Sequence, residues 1–472
     1  MRKVLAADDT RTAGPGSSGY TAAAVTDAPV DIPVRQLPLS SEQRADLERA
    51  WAQIDVDALA RLDADLVSIP SPTGEERHIA EFLVERLGQA GLEATYQPID
   101  ERQGNAVGGL PGVGDGPSLL LYAPTDTAFS GAEQEDVPWI GETIRRDLKP
   151  DGLIEDGNII GLGAENPKAY VTCVVAAAEA VARAGLRLRG SLLVGLGAGG
   201  MPTNRRPGLE RYNAGQGSGC SFMLEQGLRG DFAILAKPGY AVSWEEVGLC
   251  WFKVRVKGDL GYTGIRHKVP YRNPILAAAR VIDGLEAWFP EYTRRHTSGL
   301  VAPQGSIGAI QGGWTYKPAF IPAACELYVD LRLSPRSDPA QVDYEFGQAL
   351  ARIRVDNPGL EVDHRMILSI PGTHTDPTSW VVQSLMRAWE QVEGRPHKPI
   401  LNTSGATDAA ILRGRGLPTA RLGLPAVEVP AAYPGFSMGV TSAPAMERLT
   451  RCLVYAIVDT CTRSRSEVGL PE

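Results

Sequence analysis

Apolar residues recur at helical spacing early in the chain. Leu47, Trp51, Ile54, Leu59, Leu62 and Leu66 predict helix between Ser41 and Ser68, and Ile69-Pro70-Ser71-Pro72 breaks it. Thr73 with Glu76 has the form of a capping box, and Ile79, Phe82, Leu83, Leu87 and Ala90 give the next helix one apolar face, which ends at Gly91. Strands are expected over 92–99, 118–123, 191–194 and 232–235, and a helix over 171–184. The strand segments are nearly unbroken apolar runs, the pattern of strands covered by helices on both faces, so the expected fold class is α/β.

Near Val247 the pattern changes to alternation, in Trp251-Phe252-Lys253-Val254-Arg255-Val256-Lys257. An amphipathic helix over 274–288, a strand over 325–332, a helix over 339–352 and a strand over 360–367 follow. This order predicts a smaller α+β lid inserted into the first domain. The expected division is a leader over 1–40, the α/β domain over 41–243 and 370–472, and the lid over 244–369. The resumed domain holds a helix over 379–392, a polar loop from Asn402 to Asp408 and an apolar C-terminal stretch.

A length of 472 residues exceeds what one hydrophobic core supports, which agrees with two lobes. The net charge of -9 leaves no basic excess for nucleic acid or an anionic membrane surface, so the expected partner is a small-molecule substrate. Six cysteines without a C-x-x-C spacing, and no run near the roughly 18–20 apolar residues that span a bilayer, point to a reduced, cytoplasmic protein. Residues 1–40 read as a flexible leader or a start assigned too far upstream, and they lack the apolar segment of a signal peptide.

Several short segments occur in a telling order. They are Val67-Ser68-Ile69-Pro70-Ser71-Pro72-Thr73-Gly74-Glu75-Glu76, then Asp330-Leu331-Arg332 with Pro335, then Gly405-Ala406-Thr407-Asp408-Ala409, Gly416-Leu417-Pro418-Thr419 and Gly423. Over about residues 55–460 the chain resembles the zinc amidohydrolases and peptidases that include acetylornithine deacetylase, succinyl-diaminopimelate desuccinylase, carboxypeptidase G and aminoacylase. The resemblance implies the zinc-peptidase α/β sheet domain, an inserted lid that forms a homodimer, and a two-zinc site.

The residues at the implied ligand positions depart from that pattern. Where the family has Gly-His-x-Asp, this chain has Ala123-Pro124-Thr125-Asp126, which keeps the acid and loses the histidine. The bridging aspartate falls on Asn166, an amide that brings no negative charge. The Glu-Glu pair, source of the general base and a ligand, falls on Ala198 and Gly199. The next acid falls on Lys237, and the segment Met438-Gly439-Val440-Thr441-Ser442 lacks the last histidine. The expected metal set is therefore empty and no cofactor is expected, because two-zinc catalysis needs a metal-held water and a carboxylate to take its proton.

What remains at these positions suggests organic catalysis. Lys237 and Asp126 follow separate strands, and the expectation is that the Lys237 ammonium takes the vacated metal space and faces a substrate carboxylate or oxyanion, with Asp126 orienting it. The bland alternative is a buried ion pair filling empty ligand sites. Ser404 is a candidate nucleophile activated by a lysine, against an ordinary turn serine. Asn166, Thr407 and Asp408 are candidate substrate contacts, and Thr407 and Asp408 are also candidate N-caps of the helix beginning at Ala409. The lid residue that resemblance brings across the dimer is Tyr262 or His267, depending on register. Tyr170, Glu225, Arg205 and Arg206 lie in nearby loops, and 202–219 is a candidate cover over the cavity. The expected activity is metal-independent hydrolysis of a C–N bond in a small carboxylated amide or imide. The alternatives are a non-catalytic ligand-binding pseudoenzyme and a metallo-deacylase with substitute ligands.

Overall fold

The computed structural model describes residues 32–204, 210–433 and 435–472. Arg205, Arg206 and most of the leader lie outside the described residues.

A six-stranded sheet organises the larger unit, in the order Glu93–Pro98, Gly104–Leu110, Leu192–Gly197, Leu119–Pro124, Phe232–Ala236 and Thr419–Leu422. The last four strands in this order are mutually parallel, and the first two are antiparallel to their neighbours. Alternate residues feed two different cores, as the two-residue period of a strand requires. Leu119, Leu121, Ala123, Ile234 and Ala236 enter the large core with helices Tyr170–Arg183, Trp380–Glu393 and Ala443–Cys461. Leu120, Tyr122, Ala233 and Leu235 enter a smaller core on the opposite face with helices Ser218–Glu225 and Ala409–Gly414. The chain leaves 119–124 toward one neighbour, 192–197, and later adds 232–236 on the other side, so the parallel order reverses around the central strand. Such reversals open a crevice at the C-terminal strand ends.

The inserted unit is a four-stranded antiparallel sheet ordered Gly305–Gly312, Ala324–Leu333, Gly248–Lys257 and Glu361–Ile370. Helices Pro274–His296 and Pro339–Asp356 cover one face, where Phe252 stacks on Phe346 at 4.2 Å. The fold is thus an α/β sheet domain carrying an α+β lid. Glu245 and Glu246, buried at the junction, pair with Arg336 at 2.7 Å and Arg421 at 2.8 Å. Breaking either pair leaves an uncompensated buried charge, a loss of about 3–5 kcal/mol. Among the described residues, no helix is long and apolar enough to cross a membrane.

Three local expectations are corrected. The stretch 41–68 is two helices, Ser41–Trp51 and Val56–Val67, because Asp55 starts the second by accepting from Ala58 N. The capping box at Thr73 and Glu76 does not form, since helix Arg77–Gln89 starts with no side-chain cap and both side chains are engaged elsewhere. The strand Gly104–Leu110 was not expected from its glycine-rich sequence. Its glycines serve close packing: a Cβ on Gly104 would lie 2.4 Å from the Tyr96 ring.

Candidate functional site

Asp126, Ala198, Gly199, Gly200 and Lys237 all follow the C-terminal ends of parallel strands. Asp126 is fully buried, and its carboxylate receives three hydrogen bonds: Gly200 N at 2.6 Å, Met201 N at 2.9 Å and Thr73 Oγ1 at 2.7 Å. Two backbone donors and a hydroxyl fix both oxygens, so Asp126 braces the turn after strand 192–197. Beside it, the buried Glu76 accepts from Gly74 N, Gly199 N and Gln103 Nε2 through a single oxygen. Burial, reinforced by the Asp126 charge, pushes its carboxyl up to about 8. Its other oxygen has no hydrogen-bond partner among the described residues. Beneath the site the buried Lys168 donates to Ile69 O and Ser71 Oγ, and burial pushes its amine down to about 7 against the pull of Asp63, Asp126 and Glu76.

Lys237 is 5% exposed and donates to Asn166 Oδ1 at 2.8 Å. Burial lowers its basicity, while the carboxylates of Asp126, Asp408, Glu165 and Glu246 oppose that shift. Among the described residues its hydrogen bond goes to Asn166, so Asp126 acts on it through charge and not by contact. Asn166 also reaches Met438 Sδ at 3.3 Å, and Glu165, raised by burial, accepts from Tyr170 at 2.9 Å. The two positions where the resemblance sets metal-binding acids thus hold an ammonium and an amide bonded to each other.

Asp408 lies at the head of helix Ala409–Gly414, but its side chain does not cap it. Its Oδ2 accepts from Tyr122 at 2.6 Å, and the carboxyl sits against Gly200 and Gly217, where added Cβ atoms would come within 3.0 Å and 2.7 Å of its oxygens. The capping bond comes from Thr407, whose Oγ1 accepts from Ala409 N at 3.2 Å and also donates to Glu246. Burial pushes the Asp408 carboxyl up to about 7, with Tyr122 and Lys237 opposing.

This shift predicts a pH signature. A carboxyl that titrates near 3.8 in the unfolded chain and near 7 in the fold makes the native state the better proton binder between those values. Its stabilising contribution is therefore complete below about pH 4 and lost as pH rises through 7. Asp408→Asn removes the titration, so the stability of the native chain relative to the variant is expected to fall by a few kcal/mol, about 3, between pH 4 and 8. Urea unfolding at stepped pH checks this; parallel profiles would contradict it.

The remaining sequence candidates are dispersed. Ser404 Oγ accepts from the lid backbone at Gln304 N, 3.2 Å away, and among the described residues no base is bonded to it. Tyr262 is 46% exposed on the short ribbon that pairs 261–262 with 320–321, against Phe320. His267 is exposed in the turn that follows. The helix residue Glu225 bonds Arg415 at the surface. Thr73, Glu76, Tyr122, Lys168 and Glu246 were not foreseen as site residues. Thr73 and Glu76 have the sequence form of a cap, Lys168 stands at the lysine of the family's Gly-x-Gly-x-x-Asp-x-Lys pattern, and Tyr122 and Glu246 carry no signal without the fold.

Known proteins with this architecture agree with the resemblance. Residues 245–357 match the peptidase dimerisation domain of the M20 type. Succinyl-diaminopimelate desuccinylase of Cereibacter sphaeroides is 26% identical over 379 residues, covering 78% of this chain and 91% of that enzyme. Human carnosine dipeptidase 1 superposes with a TM-score of 0.65 at 13% identity, over 90% of this chain and 100% of that structure. The Saccharomyces cerevisiae di-peptidase Dug1p gives 0.66 at 11%, over 88% and 99%. The chain thus has the fold and the dimerisation domain of M20-type peptidases, and its sequence is similar to that of succinyl-diaminopimelate desuccinylase.

Proposed function

We propose that the chain is a metal-independent hydrolase that cleaves a C–N bond in a small, carboxylated amide or imide. The observation that carries this reading is the Lys237 ammonium at a strand end, which donates to Asn166 and feels the charges of Asp126, Asp408, Glu165 and Glu246. The donor set does not fit a pair of divalent metals. Among the described residues no cluster of His, Cys, Asp and Glu has the arrangement to hold one, and both oxygens of Asp126 are already engaged by hydrogen-bond donors. In hydrolysis a water oxygen bonds to the carbonyl carbon, the C–N bond breaks, and a water proton ends on the leaving nitrogen. Lys237 supplies the positive charge facing the developing oxyanion or a substrate carboxylate, and Asn166 holds that amine in place. In this reading Thr407 and Asp408 contact substrate, with the lid's Tyr262 or His267 reaching across a homodimer in the cytoplasm.

A second reading, a ligand-binding protein without turnover, draws on the absence of a proton acceptor at Ala198 and Gly199. A screen of N-acyl amino acids, dipeptides and cyclic amides separates the two, since turnover of any of them removes it. Tag-free protein is expected to contain no stoichiometric zinc and to keep its turnover in a chelator. Two equivalents of zinc, with turnover lost on chelation, would refute the proposal.

A further inference from the structure

Where the chain leaves strand 232–236, a cavity of about 280 Å³ opens between residues 238–243 and the loop that carries Thr403 and Gly405. This is near the roughly 300 Å³ at which small-molecule sites begin. Its walls at Pro238, Ala241, Val242 and Ile400 are apolar, and its hydroxyls are engaged: Ser243 donates to Glu245 O at 2.8 Å and Thr403 to Leu300 O at 3.1 Å. Among the described residues that line it, Arg421 carries the only charge. Arg421 Nε faces Glu246 Oε1 at 2.8 Å, and Nη1 donates to Pro238 O. Nη2 makes no hydrogen bond among the described residues and is not sealed from solvent, and 8% of the Arg421 side chain stays open. It faces Gly239, where an added Cβ would lie 3.6 Å away; glycine, at φ +114°, leaves that space clear.

The charges behind the cavity favour an anion in it. At the junction of sheet domain and lid, Arg336, Arg413 and Arg421 stand against Glu245 and Glu246, three cations to two carboxylates. Arg413 is the unmatched one, since its hydrogen bonds go to neutral oxygens of Thr375, Thr419 and Ser243, and Ser243 is itself a wall of the cavity. A fixed positive excess behind low-dielectric walls concentrates anions in front of them.

We infer that this cavity binds the carboxylate end of the substrate, with Arg421 Nη2 donating to a carboxylate oxygen and the apolar group beside that carboxylate lying against Pro238, Ala241, Val242 and Ile400. The site rests on the proposed function only for calling its ligand a substrate. It divides the work of two cations: Arg421 takes the carboxylate, and Lys237, one residue before the wall at Pro238, is left for the developing oxyanion. The substrate class narrows to amides of an amino acid with a small apolar side chain. A carboxylate suits the site better than a phosphate, because one free nitrogen satisfies few acceptors and the remaining phosphate oxygens would face apolar walls.

Calorimetric titration of the full chain tests this by binding alone. The probes are N-acetylvaline, N-acetylleucine and isovalerate, the neutral carboxamide of each, and inorganic phosphate. At least one acid is expected to bind at least about tenfold more tightly than its carboxamide and than phosphate, the discrimination that one charge-assisted hydrogen bond produces. Arg421→Gln is expected to erase that preference. Ile400 is 47% exposed at the rim, so Ile400→Glu and Ile400→Lys change the local charge without disturbing the core. They are expected to weaken and to strengthen acid binding, respectively, by about twofold to fivefold, less at high salt. Equal affinity for acids and carboxamides, tighter binding of phosphate, or a preference that none of the three variants alters overturns the inference. If Arg421→Gln does not fold, since Glu246 then loses its partner, the two Ile400 variants decide. Acid binding with this pattern but no turnover of any amide leaves the carboxylate site standing and removes the hydrolase proposal, whereas turnover without the pattern overturns the site alone.

Discussion

Lys237→Met is expected to lower kcat/KM by about 10²–10³ on whichever amide the screen identifies, the loss seen when one preorganised group facing a developing charge is removed. Methionine keeps the unbranched apolar stem and is one atom shorter, so packing after strand 232–236 is largely preserved while the ammonium is lost. Asn166 Oδ1 then loses the Lys237 hydrogen bond, and Asp126, Asp408, Glu165 and Glu246 lose the Lys237 charge. Thermal unfolding of the variant separates a folding defect from a chemical one. A folded Lys237→Met chain with native turnover would show that the lysine only fills space.

Gly199→Glu, which puts a carboxylate at a position where the resemblance sets one of a Glu-Glu pair, is expected to destabilise the fold by about 3 kcal/mol or more and to bind no metal. Gly199 has φ +63°, and a Cβ there would lie 2.1 Å from Ala214 O, a backbone atom that cannot swing aside. Its N–H is committed to Glu76 and its carbonyl to Gly217 N, so the turn cannot easily relax. A side chain at position 199 would run into the backbone of Ala214 and the Ser218 hydroxyl. Denaturant unfolding together with zinc titration measures both parts. A variant of native stability that takes up zinc would contradict both parts of this expectation.

The strand order could be anticipated only in part. Unbroken apolar runs at 119–124 and 232–236 announce a covered α/β sheet because each face meets helices. The strand Gly305–Gly312 escaped notice since it lies at an open edge, largely exposed, and so has no apolar signature. The helix Ala443–Cys461 was visible only as an apolar stretch, because it is buried nearly all round and loses the one-sided period that marks a surface helix. At the site, substitutions such as Lys237 and Asn166 are evident in one dimension as changes of charge. Their mutual hydrogen bond is not, since 71 residues separate them. Ser404 shows the converse: a plausible nucleophile in the sequence, it is turned to the lid backbone in the fold.

By itself the sequence determined which groups are available: an ammonium and an amide where acids are expected, one retained aspartate, and apolar periods that demand a covered sheet with an inserted lid. Chemical identity and local periodicity are properties of neighbours in the chain, so they can be read without coordinates. The tertiary structure alone decided what each group does, because hydrogen bonds and burial depend on residues far apart in sequence. It turned Thr73 and Glu76 from a helix cap into supports of the Asp126 turn and set Asp408 between two glycines.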